Sequence, residues 1–289
     1  MSARLMLHRN CSAWRRWFLS GKWLAKTAGA LLVLALPGSA PSRAAEQPRW
    51  FTAEFDLVFL TGDYGAAETT DILYAPLILK SQGRRYAFTF TFPFLVVEGP
   101  PGLLIGDGGV IPIDPNSTGE IVRRSGVGDL ILKGEYFFVA GDTSRRPWVS
   151  ALGKIKIPTA NEEKGLGTGE FDWSVGVSYT QPFGSRVTGF LEVSRKHVGD
   201  PPAFDFDDTT AGLAGVSARL GTKALAYLVY DRDDSIVPGL VIGESLNLGL
   251  NVFPDERWRL SVSFFGGLSD TREDFGILFG VARTWNVTR

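Results

Sequence analysis

Short segments in which every second side chain is apolar recur through most of the chain. The first clear one spans residues 51–59, where every odd position is apolar and Glu54 and Asp56 stand at even positions. Because successive side chains of a β-strand point to opposite faces, this segment predicts a strand with one apolar face and one face that carries carboxylates.

The same pattern predicts twelve strands, which begin near residues 51, 71, 85, 129, 149, 171, 187, 209, 224, 245, 258 and 275. The eighth strand, from about Thr209 to Leu220, has the weakest pattern because it is mostly Ala and Gly. Short connections near 81–83, 140–146, 181–185, 221–223 and 254–257 alternate with longer ones at 61–69, 93–125, 158–169, 197–208, 233–243 and 266–273. An even strand number with short periplasmic turns and longer external loops is typical of a closed outer-membrane barrel.

Aromatic residues fall at both ends of the predicted strands, as they do at the two interfaces of a membrane. One set is expected at the periplasmic ends (Trp148, Tyr179, Phe253, Trp258 and Trp285) and the other at the external ends (Tyr74, Phe92, Trp173, Tyr230 and Phe275). A soluble β-sandwich also needs alternating strands, but it has little reason to place aromatics at both ends of so many of them. The predicted fold class is therefore all-β, a transmembrane antiparallel up-and-down β-barrel of about twelve strands.

Residues 1–44 differ from the rest of the chain. They carry seven basic residues and no acidic one, and Ala28 to Leu36 form a short apolar run. A transmembrane helix needs about 20 apolar residues, so this run predicts a signal peptide, with cleavage after Ala44. The pair Arg15-Arg16 resembles a twin-arginine signal, but ordinary Sec export is favoured because a barrel must reach the outer membrane unfolded. The mature barrel is then residues 45–289, located in the bacterial outer membrane.

Removal of residues 1–44 leaves 23 basic and 31 acidic residues, a net charge of −8. This balance argues against nucleic acid as a partner. Cys11, the only cysteine, leaves with the signal, so disulfide, thiolate and Cys-based zinc chemistry are not expected. No cofactor and no metal are expected. The acidic groups Asp205, Asp207 and Asp208 and Asp231, Asp233 and Asp234 could hold calcium or cations that bridge lipopolysaccharide, but they lack the spacing of a calcium loop, so solvated external loop charge is the favoured interpretation.

Ionisable residues on the polar parity of the strands are predicted to line the lumen. They are Glu54, Asp56, Asp129, Lys133, Glu135, Lys154, Lys156, Asp172, Glu192, Lys196, Arg219 and Arg259. Charges of both signs in a narrow barrel either pair across it or line a polar passage, and the sequence leaves both open. If a passage exists, Lys154 and Lys156 are expected to bias it toward anions.

The segment from Pro100 to Pro115 is unusually apolar for an external loop. Its apolar members are Leu103, Leu104, Ile105, Val110, Ile111 and Ile113. Such a loop either folds over or into the mouth and offers an apolar contact to a hydrophobic solute, or packs on the rim and closes it.

The middle third of the chain contains four distinctive blocks: residues 92–100, Gly126-Val127-Gly128-Asp129-Leu130, the run from Lys154 to Ala160, and Lys164-Gly165-Leu166-Gly167-Thr168-Gly169-Glu170 followed by Asp172. These blocks resemble a family of outer-membrane transporters assigned to the MetA pathway of phenol degradation. The resemblance implies a channel for passive uptake of small molecules, with aromatic or other hydrophobic compounds as candidates. The partners expected are the lipid bilayer with lipopolysaccharide, the outer-membrane assembly machinery and a small-molecule solute.

Two other functions compete with transport. A barrel-embedded lipase needs Ser and His, and the mature chain has one histidine, His197, three residues after Ser194, without the His-x-Ser context of such lipases. A plugged structural barrel without transport is the second. The glycine-rich run 165–169 does not predict a nucleotide site, because a strand rather than a helix follows it. No catalytic residue is predicted, and the protein is not expected to be an enzyme.

Overall fold

The computed structural model describes residues 49–106, 109–112, 120–141, 145–201, 204–239 and 241–287. The chain divides into a unit of residues 1–44 and a unit of residues 45–289, and every described residue belongs to the second. The predicted signal peptide and its cleavage site lie outside the described residues. Within the described part, no helix is long and apolar enough to cross a membrane.

Fifteen β-strands make up almost all the regular structure of the described residues. They are β1 (Arg49–Gly62), β2 (Thr70–Gln82), β3 (Tyr86–Gly99), β4 (Leu103–Gly106), β5 (Gly109–Pro112), β6 (Val122–Val127), β7 (Leu130–Val139), β8 (Trp148–Ile157), β9 (Asp172–Phe183), β10 (Val187–His197), β11 (Thr209–Leu220), β12 (Ala224–Asp233), β13 (Gly243–Val252), β14 (Trp258–Gly267) and β15 (Phe275–Val287). One 3-10 turn, Glu162–Lys164, lies between β8 and β9.

The sheet closes on itself. Each main strand pairs antiparallel with its neighbour along the chain, and β1 pairs with both β2 and β15. β6 and β7 pair with the two halves of β3, so together they form a single interrupted barrel strand. The result is a closed barrel of twelve strands, which confirms the predicted count, and the weakly patterned eighth strand is present as β11.

The interruption between β6 and β7 is a β-bulge. Phe94 pairs with Val127 and Thr91 pairs with Ile131, so four steps of the interrupted strand lie opposite three steps of β3. The additional length falls at Gly128 and Asp129, and the Gly128 N–H donates to the carbonyl of Pro93 at 2.9 Å. Bulges of this kind re-aim side chains, and this one turns Asp129 into the barrel.

The two faces of the wall have opposite character. On β9, Trp173, Val175 and Val177 are 50–57% exposed, whereas Asp172 and Ser174, at the alternate positions, are buried inside the barrel. Apolar outward and polar inward is the arrangement of a transmembrane barrel. One predicted interface aromatic is misplaced, because Tyr74 lies on the inward face of β2 opposite Val58 and packs against a buried apolar cluster.

The long connections share one end of the barrel, here called the long-loop end, and the short turns share the other. At the long-loop end β4 and β5 form a separate two-stranded hairpin, the β4–β5 hairpin. Leu103, Ile105 and Val110 join a cluster with inward residues of β2 and β3, while Leu104 and Ile111 join a second cluster with the segments after β10 and β12. The hairpin therefore spans the mouth between two parts of the rim.

Candidate functional site: the lumen and its mouth

Strand parity places the predicted lumen residues on the inward face. Those that face the interior are Glu54, Asp56, Asp129, Lys133, Glu135, Lys154, Lys156, Asp172, Glu192, Lys196 and Arg259. Arg219 has the same parity, but it is exposed at the short-turn rim beside the 221–223 turn.

Most of these charges are paired within the wall. Glu54 contacts both Lys80, at 3.1 Å, and Arg259, and Lys133 contacts Glu192 at 2.9 Å. Glu135 accepts hydrogen bonds from the hydroxyls of Ser150 and Ser178. Buried charge is tolerated mainly when it is paired in this way. The lumen wall is thus polar and internally neutralised over much of its surface.

The most buried charged group is Lys156. Its side chain is 1% exposed, and its Nζ lies 3.0 Å from Asp172 Oδ2, 3.6 Å from Asp129 Oδ2 and 2.6 Å from Thr168 Oγ1. We call these four residues the Lys156 cluster. Because two carboxylates surround this ammonium group, it presents no net positive charge to a passing ion. Lys156 therefore does not contribute to the expected anion bias, which depends on Lys154.

The Lys156 cluster also joins the bulge to the loop after β8. Asp129 Oδ1 accepts the backbone N–H groups of Thr159 and Ala160, each at 3.0 Å. The Thr159 hydroxyl donates to the Gly128 carbonyl at 3.0 Å and accepts the Leu130 N–H at 3.1 Å. A carboxylate that accepts two backbone donors fixes a loop in one position. The sequence blocks around residues 126–130 and 154–160 thus form one joint.

The glycine-rich run that follows supports the β4–β5 hairpin. Leu166 is buried in the same cluster as Leu103, and the Gly165 carbonyl accepts the Ile105 N–H at 3.1 Å. Arg124 on β6 donates to the Leu103 carbonyl at 3.1 Å and to the Lys164 carbonyl at 3.4 Å. Gly165 has a φ of +65°, a conformation that favours glycine. The loop holds the hairpin by backbone contacts.

The structure places five of the six predicted apolar loop residues on the β4–β5 hairpin, between two apolar clusters. Leu103, Ile105 and Val110 share one face of the β4–β5 hairpin, and Leu104 and Ile111 share the other. Ile113 lies outside the described residues. The described part of this segment is packed rather than extended into solvent.

An apolar chamber lies in the lumen below the hairpin. It has a volume of about 510 Å³ and reaches from the hairpin to the inward faces of the first strands. Its apolar lining includes Val58, Leu60, Ile72, Tyr74, Pro76, Ile78, Pro93, Leu95, Ile105, Val110, Ile131, Leu166, Phe265 and Leu278. In this space, a solute of one or two rings would have most of its surface in contact with carbon atoms.

Titratable groups also border the chamber, among them Asp56, Asp129, Lys156 and Asp231 of the wall and Tyr64, Arg272 and Glu273 of the loops. Burial raises the pKa of the Glu273 carboxyl, and burial together with nearby carboxylates raises the pKa of the Tyr64 hydroxyl. Both groups are thereby favoured in their neutral forms.

A second cavity of about 110 Å³ lies on the opposite side of the hairpin. Val110 and Ile111 of the hairpin and Ile236, Val237 and Val241 of the loop after β12 provide apolar contacts. Hydroxyl and charged groups line the rest, with Lys154, Asp172 and Lys196 on β8–β10 and Asp233, Asp234 and Arg272 on β12 and the loops. We call this space the lysine cavity.

The predicted acidic loop clusters are only partly in loops. Asp231 and Asp233 lie on the inward face of β12, and both contact Arg272, with Asp231 at 3.0 Å. Asp208 lies 2.7 Å from His197. The interpretation of Asp231 and Asp233 as solvated external charge is therefore wrong, because the strand extends further than its sequence pattern suggested. Among the described residues, no group of three His, Cys, Asp or Glu side chains is placed to hold a metal ion.

Ser194 and His197 do not form a catalytic pair. Ser194 faces inward and lines the lysine cavity, whereas His197 is exposed on the outward face, with its ring 5.5 Å from that of Trp173. A nucleophile and its base must lie within hydrogen-bond reach of each other. Opposite faces of one strand do not allow this contact.

Sequence reasoning did not place several charged side chains correctly. Lys80, Asp231, Asp233 and Arg272 all pair inside the barrel, and Arg124 holds the hairpin. Strand β2 did carry a signal. Residues 72–79 are apolar at both odd and even positions. This pattern marks a strand that faces lipid on one side and an apolar chamber on the other.

Comparisons with known proteins give similar solved structures and a family. No curated protein sequence matches the chain. An outer-membrane channel from Pseudomonas putida F1 is similar in structure, with a TM-score of 0.57 and 14% identity over 86% of this chain and 100% of that one. The toluene transporter TodX of P. putida has a TM-score of 0.41 and 11% identity over 85% of this chain and 91% of that one.

A family model gives the assignment. It matches residues 78–283, which include the bulge, the Lys156 cluster and the glycine-rich loop. The chain belongs to the family described as "Putative MetA-pathway of phenol degradation".

Proposed function

We propose that this protein is an outer-membrane channel for passive uptake of small molecules that carry an apolar or aromatic group. The observation that supports this proposal best is the apolar chamber of about 510 Å³ inside an otherwise polar lumen. A barrel that needs only stability gains nothing from an open apolar space, since packed side chains would bury more surface. The family's description as part of phenol degradation is consistent with an aromatic solute.

The position of the chamber suggests how it selects. The β4–β5 hairpin covers it at the long-loop end, so a solute meets apolar surface at the mouth and again inside. Beyond the chamber, toward the short turns, Lys80 and Arg259 both pair with Glu54 and form a polar level. An apolar contact that is followed by a polar exit binds a solute without retaining it, as conduction requires.

Localisation and processing are part of the proposal. The outward apolar surface fits a lipid bilayer, and export through a signal peptide removed after Ala44 would deliver residues 45–289 to the outer membrane. Lipopolysaccharide and the outer-membrane assembly machinery remain the expected partners, and no catalytic role is proposed.

The test is liposome swelling with purified, heat-modifiable barrel. Phenyl β-glucoside and methyl β-glucoside share a polar group and differ in the aromatic ring, and neither crosses a bilayer quickly. The phenyl compound is expected to enter faster relative to its size. Val58→Trp fills the chamber and should reduce its entry several-fold, whereas Val177→Trp on the lipid face, the matched control, should not.

The competing function gives a different result. A plugged structural barrel would show no swelling above protein-free liposomes with any solute, although the protein is folded and inserted. Equal entry of both glucosides, unaffected by Val58→Trp, would contradict an aromatic-selective chamber.

A further inference from the structure

An arginine lies on the outward face of the barrel wall, close to the short turns. Arg283 has the outward parity of β15, and the register places Ala53 of β1 and Trp258, the first residue of β14, directly opposite it. Its neighbours of the same parity along β15 are Val281 and Trp285. All four neighbours are apolar or aromatic. A cation on the lipid face of a barrel wall is destabilising unless it reaches a polar group, and these neighbours provide no carboxylate.

The guanidinium group of Arg283 contacts two indole rings. Its central carbon lies 5.2 Å from the ring centre of Trp258 and 5.2 Å from that of Trp285. Separations below about 6 Å are those of cation–π contacts. Both tryptophans are 38% exposed, so the three side chains belong to the surface that faces the bilayer. We call them the arginine–tryptophan patch.

The N–H groups of Arg283 have no acceptor within the described part of the chain. Its Nε is buried without a hydrogen-bond partner, and the side chain forms no ion pair with another described residue. A guanidinium group carries five N–H donors, and a buried donor without an acceptor is costly. The indole faces attract the positive charge but supply no acceptor oxygen. A negatively charged acceptor from outside the protein therefore fits this position.

The place of the patch in the membrane indicates which acceptor it is. Outward tryptophans of a barrel lie at the level of the lipid headgroups, and Phe51 continues this belt with its ring 5.8 Å from that of Trp285. The negative group at this level is the phosphate of a phospholipid, and arginine matches phosphate with paired N–H···O bonds. The short-turn end is predicted to be periplasmic, which is the side on which an outer membrane carries phospholipid.

We propose that the arginine–tryptophan patch binds one phospholipid, with its phosphate on the guanidinium group of Arg283 and its acyl chains against Trp258 and Trp285. Charge-assisted hydrogen bonds to the phosphate supply the acceptors that the wall lacks. The site lies beside the pairing of β15 with β1, which closes the barrel. It is outside the lumen, so it does not depend on which solute the channel passes.

Native mass spectrometry of the detergent-solubilised barrel tests this proposal. Dimyristoylphosphatidylglycerol is the probe, and dimyristoylglycerol is its match without a phosphate. The first phosphatidylglycerol should bind at least about tenfold more tightly than the diacylglycerol, which is the expected effect of one charge-assisted hydrogen bond. Equal binding of the two lipids would overturn the proposal. Displacement of the phospholipid by an equal concentration of inorganic phosphate would also overturn it, because the patch would then be a site for any phosphate anion.

Variants assign the site. Arg283→Gln should remove the tenfold preference for phosphatidylglycerol, and Trp258→Leu should weaken it several-fold although the charge remains. Arg283→Lys keeps the charge and should retain part of the preference, which provides the comparison if Arg283→Gln does not fold. Arg186→Gln removes an exposed arginine from another short turn and is the matched control, with binding unchanged. An undiminished preference in folded Arg283→Gln, or an equal loss in Arg186→Gln, would refute the site.

Discussion

Replacement of Lys156 by Met should be among the most damaging single changes in the barrel wall. The side chain is 1% exposed, and its ammonium group is enclosed by Asp129, Asp172 and Thr168. Methionine has a similar length and removes only the charge and the donors. The change leaves two buried carboxylates near each other without a cation.

The magnitude follows from the distances. At an effective dielectric constant of about 20, pairs at 3.0 Å and 3.6 Å each gain about 5 kcal/mol of Coulomb energy. Desolvation of three charged groups, at several kcal/mol each, offsets most of this gain in the intact cluster. Removal of the cation leaves that desolvation uncompensated, so Lys156→Met should lower the unfolding free energy by about 3–5 kcal/mol.

The assay is guanidinium unfolding of the refolded barrel in phospholipid vesicles, followed by tryptophan fluorescence. Lys156→Met combined with Asp129→Asn and Asp172→Asn should recover much of the loss, because the triple variant has no unpaired charge. Lys80→Met is the control, since the Lys80 side chain is 43% exposed and its pair with Glu54 should contribute about 1 kcal/mol or less. A loss below about 1 kcal/mol for Lys156→Met would refute the reasoning.

Three further outcomes are expected. Burial raises the pKa of the Glu273 carboxyl above its ordinary value of 4.5. Ionisation of this carboxyl therefore destabilises the fold as pH rises through the raised pKa. Glu273→Gln should raise the melting temperature at pH 8 and leave it unchanged at pH 4. Val177→Arg, at the middle of the lipid face, should cost about 2–4 kcal/mol in vesicle unfolding, against about 0–1 for Phe183→Arg at the strand end. Gly249→Ala should displace the Tyr227 ring, which occupies the space beside that glycine, and break the hydrogen bond of Tyr227 to Ser263, visible as altered tyrosine fluorescence.

The barrel itself could be predicted from the sequence because its wall obeys a simple rule. A strand between lipid and a polar lumen must alternate, and β1, β9 and β14 do so clearly. Even β11, poor in large side chains, was found, because its weak pattern agreed with the even strand number that a barrel of this kind requires. The same rule predicted twelve residues that line the lumen. The structure has eleven of them on the inward wall and Arg219 at its rim.

The site was harder to predict because its polar and apolar parts come from different strands. Asp129, Lys156 and Asp172 are far apart in sequence, and only the bulge and the β7–β8–β9 pairing bring them together. Tyr74 was assigned to the interface because period-two reasoning assumes a polar lumen. The inward face of β2 is apolar instead, so alternation of apolar and polar positions does not distinguish the inward from the outward side chains beside the chamber.

The distribution of the family blocks suggests which residues tune the channel. The blocks at 126–130, 154–160 and 164–172 build the Lys156 cluster and the loop that holds the β4–β5 hairpin. The polar groups of these blocks mostly bind each other, so few of them are available to contact a solute in the lumen. The inward residues of β1–β3, together with Lys196, line the cavities instead. Solute preference should therefore respond to changes at Val58, Ile72 or Lys196 while folding responds to changes in the blocks, a separation that swelling and unfolding measurements on the same variants would reveal.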